Sequence, residues 1–171
     1  MLRPYILSGR RLKASGGSAI VEGAFVLLPT LAFILGILDI GLMTYRTTTV
    51  QAAVREGARY AITFQQITSG GTVLGQDASV KYVVESYGMG IVGANDSPQH
   101  IFVKYYAPSN LTTAIPFASG GNVPGNLVEV SVDNLSYSGL FALISSQTIP
   151  LRAYSSGILG GYPVNATSVP R

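Results

Sequence analysis

Along this chain the apolar positions change period twice, and each change marks a new element. From Ile20 to Met43 the run IVEGAFVLLPTLAFILGILDIGLM is apolar on all sides, and Gly23 to Leu38 carries no charge at all. As a helix rising about 1.5 Å per residue, this run reaches roughly 36 Å, enough to cross a hydrocarbon core of about 30 Å. A core helix of a soluble domain would show a polar face, so the pattern predicts a membrane span. A cleaved secretory signal is the competing reading. Its apolar region is about 7 to 15 residues and ends at a small-x-small site, whereas this run is longer and no such site follows at once. Pro29 interrupts the span, which membrane helices tolerate when neighbouring groups compensate. Gly23, Gly36 and Gly41 offer small surfaces for helix approach.

Past Tyr45 the pattern becomes amphipathic. Val50, Val54, Ala58 and Ala61 recur at helical spacing with Ala53 and Gly57 beside them, while Arg55, Glu56 and Arg59 take other faces. One nearly continuous helix from about Ser18 to Gln66 is expected, weakened at the threonines 47–49, with a small-residue stripe suited to its own domain or a neighbour. After Gly70-Gly71, the segment GQDASVKYVVESYGMGIV reads as a second helix with Asp77 as its cap and Gly88 and Gly90 at its end. Three strands are expected, at His100–Tyr106, Asn126–Asn134 and Ile149–Ser155. The clearest alternates Val128, Val130 and Val132 with Glu129, Ser131 and Asp133. The tail GGYPVNATSVPR has no period and is expected to be extended. The fold class is therefore α+β: a long N-terminal transmembrane helix running into a small outer domain with a second helix and a small antiparallel sheet. The expected organisation is a leader over 1–17, the helix over 18–66 and an extracytoplasmic domain over 67–171.

Charge sharpens this picture. Charged residues make up 11% of the chain, against about 25% in soluble globular proteins. The net charge of +3 belongs to the leader, where Arg3, Arg10, Arg11 and Lys13 face no acid; from Ser18 onward seven basic residues meet eight acidic ones. Those four cations orient the N-terminus to the cytoplasm and the C-terminal bulk to the far side of the membrane. No basic patch or nucleic-acid motif follows. Cysteine is missing and His100 is the single histidine, so thiol chemistry and histidine-rich metal sites are excluded. No nucleophile, zinc or phosphate-loop motif is present; no cofactor and no enzymatic activity are expected. Asn110, Asn134 and Asn165 each begin a glycosylation-type triplet, a pattern that recurs often by chance.

The costliest feature is Glu22, a carboxylate near the edge of the span. It lies in Gly16-Gly17-Ser18-Ala19-Ile20-Val21-Glu22-Gly23-Ala24. Asp39 sits near the opposite edge and reads as an interfacial residue.

The stretches AIVEGAFVLLP, GILDIG and QAAVREGARYA together resemble the TadE-like family of the tight-adherence (Tad) pilus apparatus. That family shows a basic leader, then A-V-E-F-A-x-x-x-P, G-x-x-E/D-x-G and A-A-R-x-G-A-R-x-A. Glu22, Pro29, Arg55, Gly57 and Arg59 fall on its positions, over about a quarter of the chain, while the strands near 126–134 and 149–155 are only loosely similar. Gly23 departs from the pattern, standing where the family has phenylalanine. The resemblance implies a minor pilin or pseudopilin of a Tad-type (type IVc, Flp) pilus or related secretion machine, acting in pilus assembly and adhesion. It implies cleavage by a prepilin peptidase between Gly17 and Ser18, leaving Glu22 as the fifth mature residue. The expected partners are that peptidase, other pilin or minor-pilin subunits through parallel N-terminal helices, the inner-membrane assembly platform and the lipid bilayer. Two readings of Glu22 stand: it pairs with the Ser18 α-amine of a neighbouring subunit, or it lies solvated in the headgroup zone. A membrane-anchored binding or sensor domain that never enters a fibre is the alternative function.

Overall fold

A computed structural model of the chain describes residues 16–139 and 148–171; the leader expected before residue 16 lies outside them. The chain divides into two units, Met1–Leu38 and Asp39–Arg171. Helix α1 spans Gly16–Ile62 and contains Pro29. In the first unit its side chains are exposed nearly all round, Phe25, Leu28, Phe33 and Ile37 among them. Ala19–Ile62 is long and apolar enough to cross a membrane, and its most apolar 18-residue window has mean hydropathy 2.3 with none of it buried. Surface of that kind is disfavoured in water and suited to lipid.

The second unit begins on the same helix. No break occurs at the threonines where weakening was expected. The hydroxyls of Thr44, Thr47 and Thr48 donate to the carbonyls of Ile40, Met43 and Thr44 at 2.8–2.9 Å, which satisfies them within the helix. From Val50 onward one face is buried: Val50, Ala53, Val54, Ala58 and Ala61 form the floor of the core. The helix ends at Ile62, short of the expected Gln66. Thr63 turns back through its N–H and hydroxyl onto the Tyr60 carbonyl, and Phe64 takes φ +52°, which drops its ring into the core. The last carbonyls are capped from elsewhere in the unit, Ala61 by the buried Gln76 amide at 2.8 Å and Ile62 by the Gly160 N–H at 3.1 Å.

Strands β1 (Thr68–Ser69) and β2 (Thr72–Val73) form a small hairpin closed by Gly70 and Gly71, both at positive φ. This is the turn geometry that glycine supplies without strain. Helix α2 (Gln76–Tyr87) packs Val80 and Val84 into the core. Asp77 does not cap it, contrary to expectation. Gly75, which has no side chain, is the N-cap residue, and Asp77 lies in the first turn with its two carboxylate oxygens engaged by Tyr105 and Arg171.

The sheet is antiparallel in the order β3-β4-β5, with β3 at Ile101–Tyr106, β4 at Leu127–Tyr137 and β5 at Ile149–Ile158. Ile101, Val103, Tyr105, Val128, Val130, Val132 and Ala153 face the helices. Each fully buried valine of this kind stabilises by about 1.5–3 kcal/mol. β4 runs beyond the expected Asn134 because it bulges there. Between Val132 and Leu135 it advances three residues while β5 advances two, and Asn134 takes φ +60°. The bulge hides the strand's continuation from a period-two reading. His100 lies just before β3, half-buried, with Nδ1 3.3 Å from the Asp133 carbonyl.

The tail departs most from expectation. It lacks regular structure but is packed in, not merely extended. Tyr162 meets Phe64 at 4.8 Å between ring centroids, Val169 is buried, and the Pro170 carbonyl accepts from Gln76 N at 2.8 Å.

Candidate assembly surfaces on the N-terminal helix

The residues singled out by sequence all lie on α1 and fall into two groups. Gly17, Ser18, Glu22 and Pro29 lie in the first unit. Glu22 is exposed, and an added Cβ at Gly17 or Gly23 would meet nothing within 4 Å. Around Pro29, whose nitrogen cannot donate, the neighbouring Thr30 hydroxyl donates to the Val26 carbonyl at 2.7 Å. This half of α1 can present carboxylate, proline and apolar side chains to lipid or to another helix.

Arg55, Gly57 and Arg59 lie in the second unit and serve different ends. Gly57 is buried against α2 and the sheet; a Cβ there would clash with Val84 Cγ2 and stand 3.5 Å from Val130 Cγ1. The small-residue stripe is thus spent on the protein's own domain. Arg55 and Arg59 point outward and are exposed. Arg59, Glu56, Tyr60 and Tyr87 border a shallow cavity of about 440 Å³.

Sequence reasoning gave no signal for the contacts that Tyr137 and Arg171 make. Asp39, read as interfacial, accepts a hydrogen bond from the Tyr137 hydroxyl at the end of β4. That carboxylate holds the Tyr137 hydroxyl above its ordinary titration range, with burial and the Asp39 charge acting the same way and the Arg46 charge opposing. The Arg46 guanidinium lies 5.1 Å from the centre of the Tyr137 ring. Neither contact has a sequence signal, since helix and strand are far apart in the chain. Arg171, in the aperiodic tail, lies over Tyr105 and Phe117 with its carbon 4.5 and 5.0 Å from the ring centres. Beside it lies a cavity of about 490 Å³ bordered by Asp77, Lys81, Tyr82 and Asp96. Its most buried polar groups, Asp77 and Arg171, are spent on each other.

No group of three or more histidine or carboxylate side chains converges as a metal site among the described residues. Residues 17–59 match the family model described as TadE-like protein. The N-terminal helix is TadE-like. The match takes in Gly17, Ser18, Glu22, Pro29, Arg55, Gly57 and Arg59, and stops short of the sheet. Comparison with curated proteins and with solved structures gives no match. The TadE-like match and the apolar helix together support a minor-pilin or pseudopilin role in Tad-type pilus assembly, structural rather than catalytic, with inner-membrane anchoring.

Proposed function

We propose that the chain is a prepilin-like subunit, cut between Gly17 and Ser18, whose mature helix docks beside the N-terminal helices of other pilins in the inner membrane. The leader faces the cytoplasm and the second unit lies on the far side, within reach of the assembly platform and, once incorporated, of the cell surface. The reading is carried by one observation: a TadE-like match laid over a helix whose N-terminal half is exposed and apolar while its C-terminal half is buried in its own domain. Such a helix has one half committed and one half available. Cleavage would create an α-amine at Ser18, about one helical turn from Glu22. In a bundle of parallel helices, the amine of one subunit and Glu22 of the next set the axial register, because a charge left unmatched in the span is penalised. Gly23, with open space around it, leaves room for that approach.

Intact-mass measurement of the full chain, expressed with and without a prepilin peptidase, tests this. The expected mature product begins at Ser18. An uncut chain, or one cut elsewhere, sinks the prepilin assignment and favours a permanently anchored binding domain.

A further inference from the structure

Helix α2 ends in a turn at odds with its own sequence. The Ile91 N–H donates to the Gly88 carbonyl at 2.9 Å, and the two residues between, Met89 and Gly90, have φ of +49° and +77°. Tight turns with both central φ values positive ordinarily take asparagine, aspartate or glycine. A methionine there crowds its Cβ against the backbone. Close packing holds the turn in place: an added Cβ at Gly88 would stand 2.9 Å from both the Val84 carbonyl and Val92 Cγ2. The strain does not bury the side chain, because Met89 is 71% exposed. Its sulfur accepts a hydrogen bond from the Tyr45 hydroxyl at 3.4 Å, and Tyr45 is itself half exposed. Strained, over-determined backbone that displays an apolar side chain marks a surface with a use.

The position of that surface identifies its occupant. Tyr45 follows the apolar run by two residues and lies about 9 Å along α1 from Asp39. At Asp39 the end of β4 is pinned by Tyr137, whose partner in β5 is Ile149, 41% exposed. Two separate elements of the second unit, the β4–β5 pair at Asp39 and the α2 turn at Tyr45, therefore bring apolar side chains to the outer end of the span and the first turn beyond it. Tyrosine is the residue type enriched where chain meets headgroups, and the exposed Arg46, next to Tyr45 and over the Tyr137 ring, can reach phosphate while its stem stays among apolar groups. We infer that this rim, Met89, Tyr45 and Ile149 with Arg46 among them, rests in the headgroup layer where α1 leaves the bilayer. The inference depends on α1 spanning the membrane and adds a lipid-contacting surface on the globular unit.

Because the chain contains no cysteine, single labels can be placed cleanly. The full chain is reconstituted at one copy per nanodisc in phosphatidylcholine carrying a doxyl group near the headgroup. Met89→Cys, Ile149→Cys, Leu28→Cys and Leu111→Cys are each labelled with an environment-sensitive nitrobenzoxadiazole. The label at position 28 should be buried in lipid and that at 111 fully aqueous; those at 89 and 149 should be blue-shifted and quenched by the doxyl lipid. Aqueous emission at 89 and 149, with 28 still in lipid, overturns the rim contact and leaves the span intact. Aqueous emission at 28 as well overturns both. A blue shift at 89 that appears only when several copies share a disc assigns the rim to a second copy and also overturns the lipid contact.

Discussion

Arg171 Nε donates to Asp77 Oδ2 at 2.9 Å across 94 residues of sequence, and both side chains are largely buried, at 9% and 14% exposure. The guanidinium also donates to the Pro116 and Gly120 carbonyls, so one tail residue ties α2 to the loop between β3 and β4. Arg171→Ala leaves the Asp77 carboxylate without its cation and is expected to destabilise the protein by about 3 kcal/mol. Arg171→Lys should restore little, since a lysine cannot reproduce the fork and the stacking together. Denaturant unfolding of the full chain in detergent measures both; equal stability of wild type and Arg171→Ala would refute the role.

Tyr105 shares Asp77 with Arg171, donating to Oδ1 at 2.8 Å. Burial, then the Asp77 charge and hydrogen bond, hold its hydroxyl far above the ordinary value of 10.0, and the Arg171 charge opposes them only in part. Above about pH 10 the unfolded chain releases a proton that the folded protein keeps, so stability is full below that pH and falls as pH rises beyond it. Unfolding free energies between about pH 9 and 11 should show this decline, and Tyr105→Phe should flatten it. Tyr137, shifted the same way, leaves a residual slope.

Gly57 fills a place that no side chain fits. Gly57→Ala forces its new methyl against Val84 and should lower stability by about 1–3 kcal/mol. Combined with Val84→Ala, the loss should be smaller than the sum of the two single changes. Gly23→Ala, with open space around it, should leave thermal unfolding of the second unit unchanged.

Tyr137→Phe removes the hydroxyl that Asp39 accepts while preserving the ring under Arg46. Amide exchange near Tyr137 and Ile149 should quicken, with the Val128–Val132 stretch of β4 as protected as before. Uniform protection in both segments would show that the Asp39 contact holds nothing in place.

For Glu22, the expected outcome of Glu22→Leu is normal insertion into the membrane with reduced co-purification of other pilins. Carbonate extraction reports the first and affinity capture the second. Undiminished capture would argue for the solvated headgroup reading of this carboxylate.

What could be read from sequence was whatever repeats. The valines of β4 and the stripe from Val50 to Ala61 announced themselves by period, and both form the core. Helix bounds slipped where single residues overrode the pattern, as Phe64 does with its positive φ. The bulge at Asn134 concealed the last turn of alternation in β4. Asp77 looked like a cap because of its position, yet the partners that redirect it, Tyr105 and Arg171, arrive from distant parts of the chain. Val169 is buried, and Tyr162 and Arg171 partly buried, without any period at all, and Tyr137 reaches Asp39 from 98 residues away. Contacts between remote single side chains leave no local trace.

Helix α1 is both the exposed apolar helix and the floor of the core. Within the second unit, a pull along α1 would meet the Asp39–Tyr137 contact before it met the core. The close-packed row from Val50 to Ala61 lies beyond that contact and would resist next. In its own domain this part of α1 is held by packing along its length, not by a single hinge contact.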